Sequence, residues 1–484
     1  MHATCLRSLA AALTLAATSA LTAGGPSARP GMGAIPYADD TSFGVTFRVW
    51  APNADSVSVV GSFNGWNQNA DPLFDEGNGH WSLDRDFVFT GSEYKFVVTN
   101  GASTLWKNDA RALQLVNSLG PSIVYDHSSY DWTTENYSTP PWHEMVIYEM
   151  HLGTFNVTDG TLPGRFDEAI ERLDYLADLG INMIEIMPVS EFPGDQSWGY
   201  NPSYPFSVES SYGGPNGFKA FIDAAHARGI GVIVDVVHNH YGPTDLDLWQ
   251  FDGWSSGGWG GIYFYNDGRA QTPWGDTRPD FGRGEVRSYI RDNMLMWLNE
   301  YQADGLRVDA VQYMRKEFPG GPDIGDGWSL LQWINNDVDA TQPWKLMIAE
   351  DLAEEPYITK STGEGGAGFD SQASTFFRPV RDALIASSDG DRNMWSVRDA
   401  ISSMFNGAAL QRVIYTENHD EVANGHSRVP EEIWPENAGS YFSRKRSTLG
   451  AVMVFTAPGI PMIFQGQEIL EDGFFTDEDP VDWT

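Results

Sequence analysis

Gly305-Leu306-Arg307-Val308-Asp309-Ala310 reads as a buried β-strand carrying two charged side chains two residues apart. Alternation along a strand puts Arg307 and Asp309 on one face, so both point into one place. A charged pair inside an apolar strand is costly to bury unless a site uses it. The expectation is that Asp309 is a catalytic nucleophile and that Arg307 keeps it ionised by lowering its pKa. The competing reading is a structural ion pair, and the neighbouring segments decide between them.

Outward from this stretch, short apolar strands alternate with amphipathic helices, the grammar of parallel βα units. Strands are expected over residues 146–150, 181–189, 231–237, 306–310, 346–349, 368–373, 412–415 and 460–464. Helices are expected over residues 167–179, 217–228 and 285–301. Eight strands fit a closed (β/α)₈ TIM barrel better than an open doubly wound sheet. No Gly-rich phosphate fingerprint follows any of them, which counts against a dinucleotide domain. Upstream, Val45, Phe47 and Val49 alternate with polar residues, as do Tyr94, Phe96 and Val98, and Asn64-Gly65 and Gly77-Asn78-Gly79 supply turns. The predicted architecture is therefore α/β: a small all-β sandwich over residues 40–128, a Ser/Thr/Pro-bearing connector over 129–142, and a barrel over 143–484. Because residue 484 comes soon after the eighth strand, the barrel is expected to be truncated there, with little room for a closing helix and without a C-terminal β domain.

With 484 residues and 41% hydrophobic content the chain can fill more than one core. A formal charge of −36 opposes nucleic acid or an anionic membrane as partner and suits a neutral ligand. Cys5 is the single cysteine, which excludes an intrachain disulfide and a thiolate metal cluster. Arg7 followed by the apolar residues 9–20, with small residues at Ala20 and Ala23, predicts a signal peptide over 1–23 and a secreted or periplasmic protein. An Ala-rich extension on a cytoplasmic protein is the alternative. No other stretch approaches the apolar length of a membrane span.

Reactive residues of a barrel lie at the C-terminal ends of its strands. Here the third strand runs into Asp235-Val236-Val237-His238-Asn239-His240, and the fourth carries Arg307 and Asp309. The fifth ends Ala349-Glu350-Asp351, and the seventh leads to Glu417-Asn418-His419-Asp420. One acid at a strand end is often only a helix cap. Acids at four ends of one rim favour a site, and the structural ion pair becomes the minor reading.

These four segments resemble, in order and spacing, the conserved regions of the α-amylase superfamily, glycoside hydrolase family 13. The resemblance implies that Asp309 is the nucleophile, Glu350 the general acid/base and Asp420 a third carboxylate gripping sugar hydroxyls. It further implies that Arg307 orients Asp309, that His240 and His419 hydrogen-bond the sugar, and that Asp235 supports this network. Ser197-Trp198-Gly199-Tyr200-Asn201-Pro202 is similar to a segment of branching, debranching and trehalose-releasing members, in which Tyr200 would stack on the sugar; a loop anchor is its alternative role. Val45–Pro52 with Gly61-Ser62-Phe63-Asn64-Gly65-Trp66 resembles a starch-binding-like module, carbohydrate-binding module family 48. Trp66 and Trp81 could stack on glucan there or simply plug the sandwich, the second being favoured.

A glycosidase needs one protonated carboxyl to help the leaving oxygen depart and one ionised carboxylate against the oxocarbenium centre. The resemblance implies a retaining enzyme acting on an α-glucan such as starch, glycogen or maltooligosaccharides, with 1,4-α-glucan branching first. Hydrolysis of the amylase, debranching or trehalose-releasing type is the alternative, and a non-catalytic glucan-binding protein ranks below both. No cofactor is required. Calcium stays open: Asn239 matches a calcium ligand of amylases, but the loop over residues 241–282 offers no identifiable partner set. Its acids Asp245, Asp247 and Asp252 are read as a solvated loop rather than a metal cage.

Overall fold

In the computed structural model, residues 25–483 are described except 41, 135, 136 and 159, so the leader expected over 1–23 lies outside the described residues. Strands β1 (Ile147–Met150), β2 (Met183–Ile186), β3 (Gly231–Val236), β4 (Gly305–Val308), β5 (Leu346–Ala349), β6 (Ser371–Ala373), β7 (Arg412–Ile414) and β8 (Ile460–Phe464) form a closed parallel barrel in chain order. β8 pairs with β1, setting Ile147 opposite Met462 and Glu149 opposite Phe464. The eight strands thus close into the expected barrel, and no α-helix follows β8 among the described residues. Closure depends on a partner for the free edge of β1, and β8 supplies it. Beyond β8 the chain returns to the start of the barrel, where the Val481 N–H donates to the Thr154 carbonyl at 2.9 Å and the Trp483 indole to that of Phe155 at 2.8 Å.

At the opening of β4, a Cβ on residue 305 would lie 2.3 Å from the Leu346 carbonyl oxygen. Glycine is what lets β4 and β5 run side by side there. Helices Gly214–His226, Gly284–Asn299, Gly325–Thr341, Phe377–Ile385 and Tyr441–Thr456 surround the strands. The helix expected over 167–179 is instead two, Phe166–Ile170 and Leu173–Leu179. Between them Glu171 and Arg172 donate to the carbonyls of Glu168 and Ala169, a tighter i−3 turn that breaks the α-helical ladder.

Ahead of the barrel two antiparallel sheets face one another. Gly33–Ala38, Phe43–Trp50, His80–Asp86 and Phe74–Asp75 form one; Asp71–Pro72, Ser56–Gly61, Glu93–Asn100 and Ser103–Lys107, with Ser122–Ile123 alongside, form the other. The first strand begins before the boundary expected at residue 40. Val45 and Phe47 pack against Val59 and Phe96, and the same apolar cluster runs on to Val234, Leu306 and Val308 of the barrel. The half-buried Trp81 donates its indole N–H to the Ala51 carbonyl at 3.1 Å, as a plug would. Trp66 lies stacked with Trp106 at 6.5 Å between centroids.

The loop acids read as solvated are instead the bolts between sandwich and barrel. Asp252 accepts from the Asn53 backbone and side-chain N–H groups at 2.9 and 2.8 Å. Asp247 accepts from the Asn108 N–H at 2.7 Å, and Asp245 from the Ser118 hydroxyl at 2.9 Å. The sandwich brings donors that no inspection of the loop alone reveals. Asp252→Ala would remove the buried acceptor and both of its bonds to the exposed Asn53, each worth about 0.5–1.5 kcal/mol. A lowered thermal midpoint, with the sandwich melting ahead of the barrel in calorimetry, is the expected outcome; an unchanged melting profile would contradict this docking role.

Candidate active site

Register places the site. Asp235 on β3 lies directly opposite Arg307 on β4, and both side chains point inward. Leu306 and Val308, on either side of Arg307, join the apolar cluster instead. The Arg307 guanidinium, buried, donates to Asp235 at 2.6 Å and to Asp309 at 3.1 Å through Nη1. Its Nη2 lies 3.2 Å from Glu350 Oε2, and its Nε 4.0 Å from Glu185. Asn239 donates its amide to the other Asp309 carboxylate oxygen at 2.6 Å. Immediately after Asp309 the backbone turns through Ala310 at φ 40°, ψ 48°, a left-handed conformation that strains a residue bearing a Cβ. The turn aims the Ala310 N–H at Glu350 Oε2, 2.8 Å away.

Burial pushes the Asp309 carboxyl up while Arg307 pulls it down, and the balance leaves it at about 6. Arg307 lowers this carboxyl as expected, and burial outweighs it. For Glu350, burial again leads, Arg307 opposes it, and the charges of Asp309 and Asp420 raise it further, to about 7. Two adjacent carboxyls are thus pushed apart in the sense that a nucleophile and a proton donor require.

His419 is held on its far side by Glu149, whose carboxylate accepts from the His419 N–H at 3.1 Å and meets Nδ1 at 2.5 Å. Burial would depress this imidazole, but the charges of Asp420 and Glu149 lift it to about 9, so it carries a positive charge. Its Nε2 faces Asp420 at 3.7 Å. Tyr200 stacks on the His419 ring at 4.9 Å and donates to Asp235 at 2.6 Å, combining a place in the cleft with an anchoring role. His240 is pushed by burial down to about 4 and stays neutral, stacked at 4.7 Å on Trp274.

Asp309, Glu350, His419, Asp420, Tyr200 and His240 line a cleft of about 310 Å³, whose walls also include Trp198, Trp274, Gln312 and Tyr313. The eight residues singled out in the sequence (Asp309, Glu350, Asp420, Tyr200, Asp235, His240, Arg307 and His419) are brought together. Glu149 and Glu185 escaped the sequence reading, although each interrupts an apolar strand as Arg307 does. Trp274 left no local signal, because it lies in an irregular loop far from any strand end. Asn239, the calcium-like position, donates its amide to Asp309 and turns its oxygen toward His240 Nδ1. Among the described residues no group of three or more His, Cys, Asp or Glu is arranged to hold a metal ion.

The alpha amylase catalytic domain family matches residues 149–250 and 277–482, and the carbohydrate-binding module 48 family, described as an isoamylase N-terminal domain, matches 31–112. The 1,4-alpha-glucan branching enzyme GlgB of Corynebacterium diphtheriae is 33% identical over 468 residues, covering 91% of this chain; the chain spans 61% of that relative's length. The malto-oligosyltrehalose trehalohydrolase of Saccharolobus solfataricus is 30% identical, covering 89% of this chain and 74% of its own. The crystal structure of a Group B Streptococcus pullulanase superposes with a TM-score of 0.72 at 21% identity, over 91% of this chain and 63% of that one, a likeness of fold.

To act as nucleophile and proton donor, this pair would need Asp309 ionised and Glu350 protonated. Activity should fall as pH drops through about 6 and again as it rises through about 7. A bell-shaped profile of kcat/KM with a narrow optimum between those values is expected; a flat profile from pH 5 to 9 would exclude the assignment.

Proposed function

From the chain's membership of the alpha-amylase family, to which it belongs by the match over most of its barrel, we propose a retaining α-glucan enzyme whose principal reaction is 1,4-α-glucan branching. The single observation that carries the reading is Asp309 and Glu350 held on one guanidinium at 3.1 and 3.2 Å. They sit next in register on β4 and β5, following the Val308–Ala349 pair. Neighbouring strands run about 4.8 Å apart, and retaining glycosidases use carboxyls about 5–5.5 Å apart.

In the proposed first step an Asp309 oxygen bonds to the anomeric carbon, the glycosidic C–O bond breaks, and the Glu350 proton passes to the leaving oxygen. In the second, the 6-hydroxyl of a glucan acceptor gives its proton to Glu350 and its oxygen bonds to the same carbon, releasing the Asp309 carboxylate. Asp420, the charged His419 and the neutral His240 grip hydroxyls of the sugar at the cleavage point, and Tyr200 offers its ring to the sugar face. These side chains suffice for the steps as written, and no cofactor enters them. Water as acceptor makes the same site a hydrolase, the second reading, favoured by the trehalohydrolase relative and its larger covered share.

Among the described residues no helix is long and apolar enough to cross a membrane. We further propose export directed by residues 1–23. Cell fractionation should find the mature protein outside the cytoplasm with an N-terminus at residue 21 or 24; an uncleaved cytoplasmic chain would refute this.

Incubation with amylose, counting new α-1,6 linkages against new reducing ends, tests the reaction. Linkages in excess of reducing ends are expected, whereas reducing ends alone would establish hydrolysis. Asp309→Asn should lower turnover roughly a thousandfold or more, on the scale of losing a nucleophile; near-normal turnover would remove Asp309 from its role.

A further inference from the structure

The wall of the cleft that carries Trp198 and Tyr200 is a loop, residues 192–203, between two short antiparallel strands, Ser190–Glu191 and Tyr204–Val208. Two acids stand at its base, Glu191 at the end of the first strand and Glu209 just past the second, and both are fully buried. Each reaches across to the other side. The Glu191 carboxylate accepts from the Ser210 N–H at 2.8 Å and its hydroxyl at 3.3 Å, while that of Glu209 accepts from the Phe192 N–H at 3.2 Å. Glu209 also takes the N–H and hydroxyl of Ser211, at 2.9 and 2.7 Å. The two acids form a reciprocal clasp, each bonded to the residue that follows the other.

The carboxyls of the catalytic cluster meet Arg307 or His419, but among the described residues no cation pairs with Glu191 or Glu209. Two neighbouring carboxylates buried without a counter-ion cannot both stay ionised. Burial, and then the charge of Glu209, push Glu191 up to about 9; burial pushes Glu209 up to about 7, and Asp195 adds to both. The pair therefore keeps a proton at neutral pH. The other titratable groups packed on this base supply no positive charge. Tyr212 is kept protonated by its own burial, with Glu209 and Asp477 adding to the effect. His151, which meets the Ser197 carbonyl of the loop at 3.0 Å, is pushed by burial down to about 4 and is neutral.

The clasp is mechanically close to the cleft. Tyr200 is bonded to Asp235 and stacked on His419, and Trp198 stacks on Phe475 at 5.2 Å. Between them a Cβ on residue 199 would lie 2.3 Å from the Pro188 carbonyl oxygen, so the loop is packed directly on the chain that leads into Glu191. We propose that Glu191 and Glu209 are positioning residues for the α-glucan reaction: their clasp holds residues 192–203 so that Trp198 and Tyr200 form the sugar-facing wall. The inference rests on the reading of the cleft as an α-glucan site. Opening the loop gives both acids to water, where such a carboxyl titrates at 4.5. The closed loop holds the extra proton, so its advantage shrinks as pH rises from about 4.5 to about 9 and changes no further above that.

Amide hydrogen exchange of residues 192–203 from pH 7 to 9, corrected for intrinsic rates and referenced to the helix Gly284–Asn299, tests the clasp. Loop protection in the parent protein should fall about tenfold per pH unit, the slope of one proton, while the helix keeps its own. Glu191→Gln, which retains an accepting oxygen and has no proton to lose, should hold loop protection level across the range. No fall in the parent, or the same fall in Glu191→Gln, would overturn the proposal. This arm needs only the Gln variant, which keeps the buried bonds. Calorimetry with maltoheptaose at pH 7 in the Asp309→Asn background then reads the wall. Glu191→Ala should bind about tenfold more weakly, the loss of one aromatic stacking contact, and Glu191→Gln should restore the affinity. Equal affinity in a folded Ala variant would overturn the positioning role and leave the α-glucan reading standing. Failure of the Asp309→Asn parent to bind maltoheptaose would overturn that reading, whatever the exchange shows of the clasp.

Discussion

One guanidinium organises this protein. Arg307 touches Asp235, Asp309 and Glu350 within 3.2 Å and stands 4.0 Å from Glu185, all in the closed interior of the barrel. A buried charge is tolerable only when paired and hydrogen-bonded, and removing one partner leaves the others uncompensated. Four strands thus meet on one side chain. Gly305 is the local condition for it, since a side chain there would push β5 away and carry Glu350 with it.

Two buried cations, Arg307 and His419, face the carboxyls of Glu149, Glu185, Asp235, Asp309, Glu350 and Asp420. Negative groups outnumber positive ones, so the interior cannot hold every carboxyl ionised at neutral pH. Burial, with the charge of Glu149 second, pushes Glu185 up to about 8, so it keeps its proton there. The same pressure places Glu350 above Asp309. The unequal proton affinities of these carboxyls arise from how a crowded, water-poor interior distributes too few protons.

The sandwich and barrel share one apolar core and are joined by polar contacts at the Asp245–Asp252 loop. That loop also supplies Trp274 to the cleft wall a little further along the chain. The same irregular segment therefore contributes both to docking of the sandwich and to the wall of the cleft.

The strands and the barrel were legible from local periodicity, and the acids of the rim from their places at strand ends, whereas Tyr200 and the roles given to Glu350, Asp420, His240 and His419 came from resemblance to the α-amylase superfamily. Arg307 and Asp309 were legible from two-residue alternation alone. Glu149 and Glu185 carried the same mark, but their meaning depends on parallel register that sets them side by side and brings His419 down onto Glu149. Closure of the barrel, the partners of Asp247 and Asp252, and the net rise of Asp309 despite its arginine were decided only in three dimensions. Those outcomes depend on pairing across long stretches of chain and on how much water is excluded, and neither quantity is written in the order of neighbouring residues.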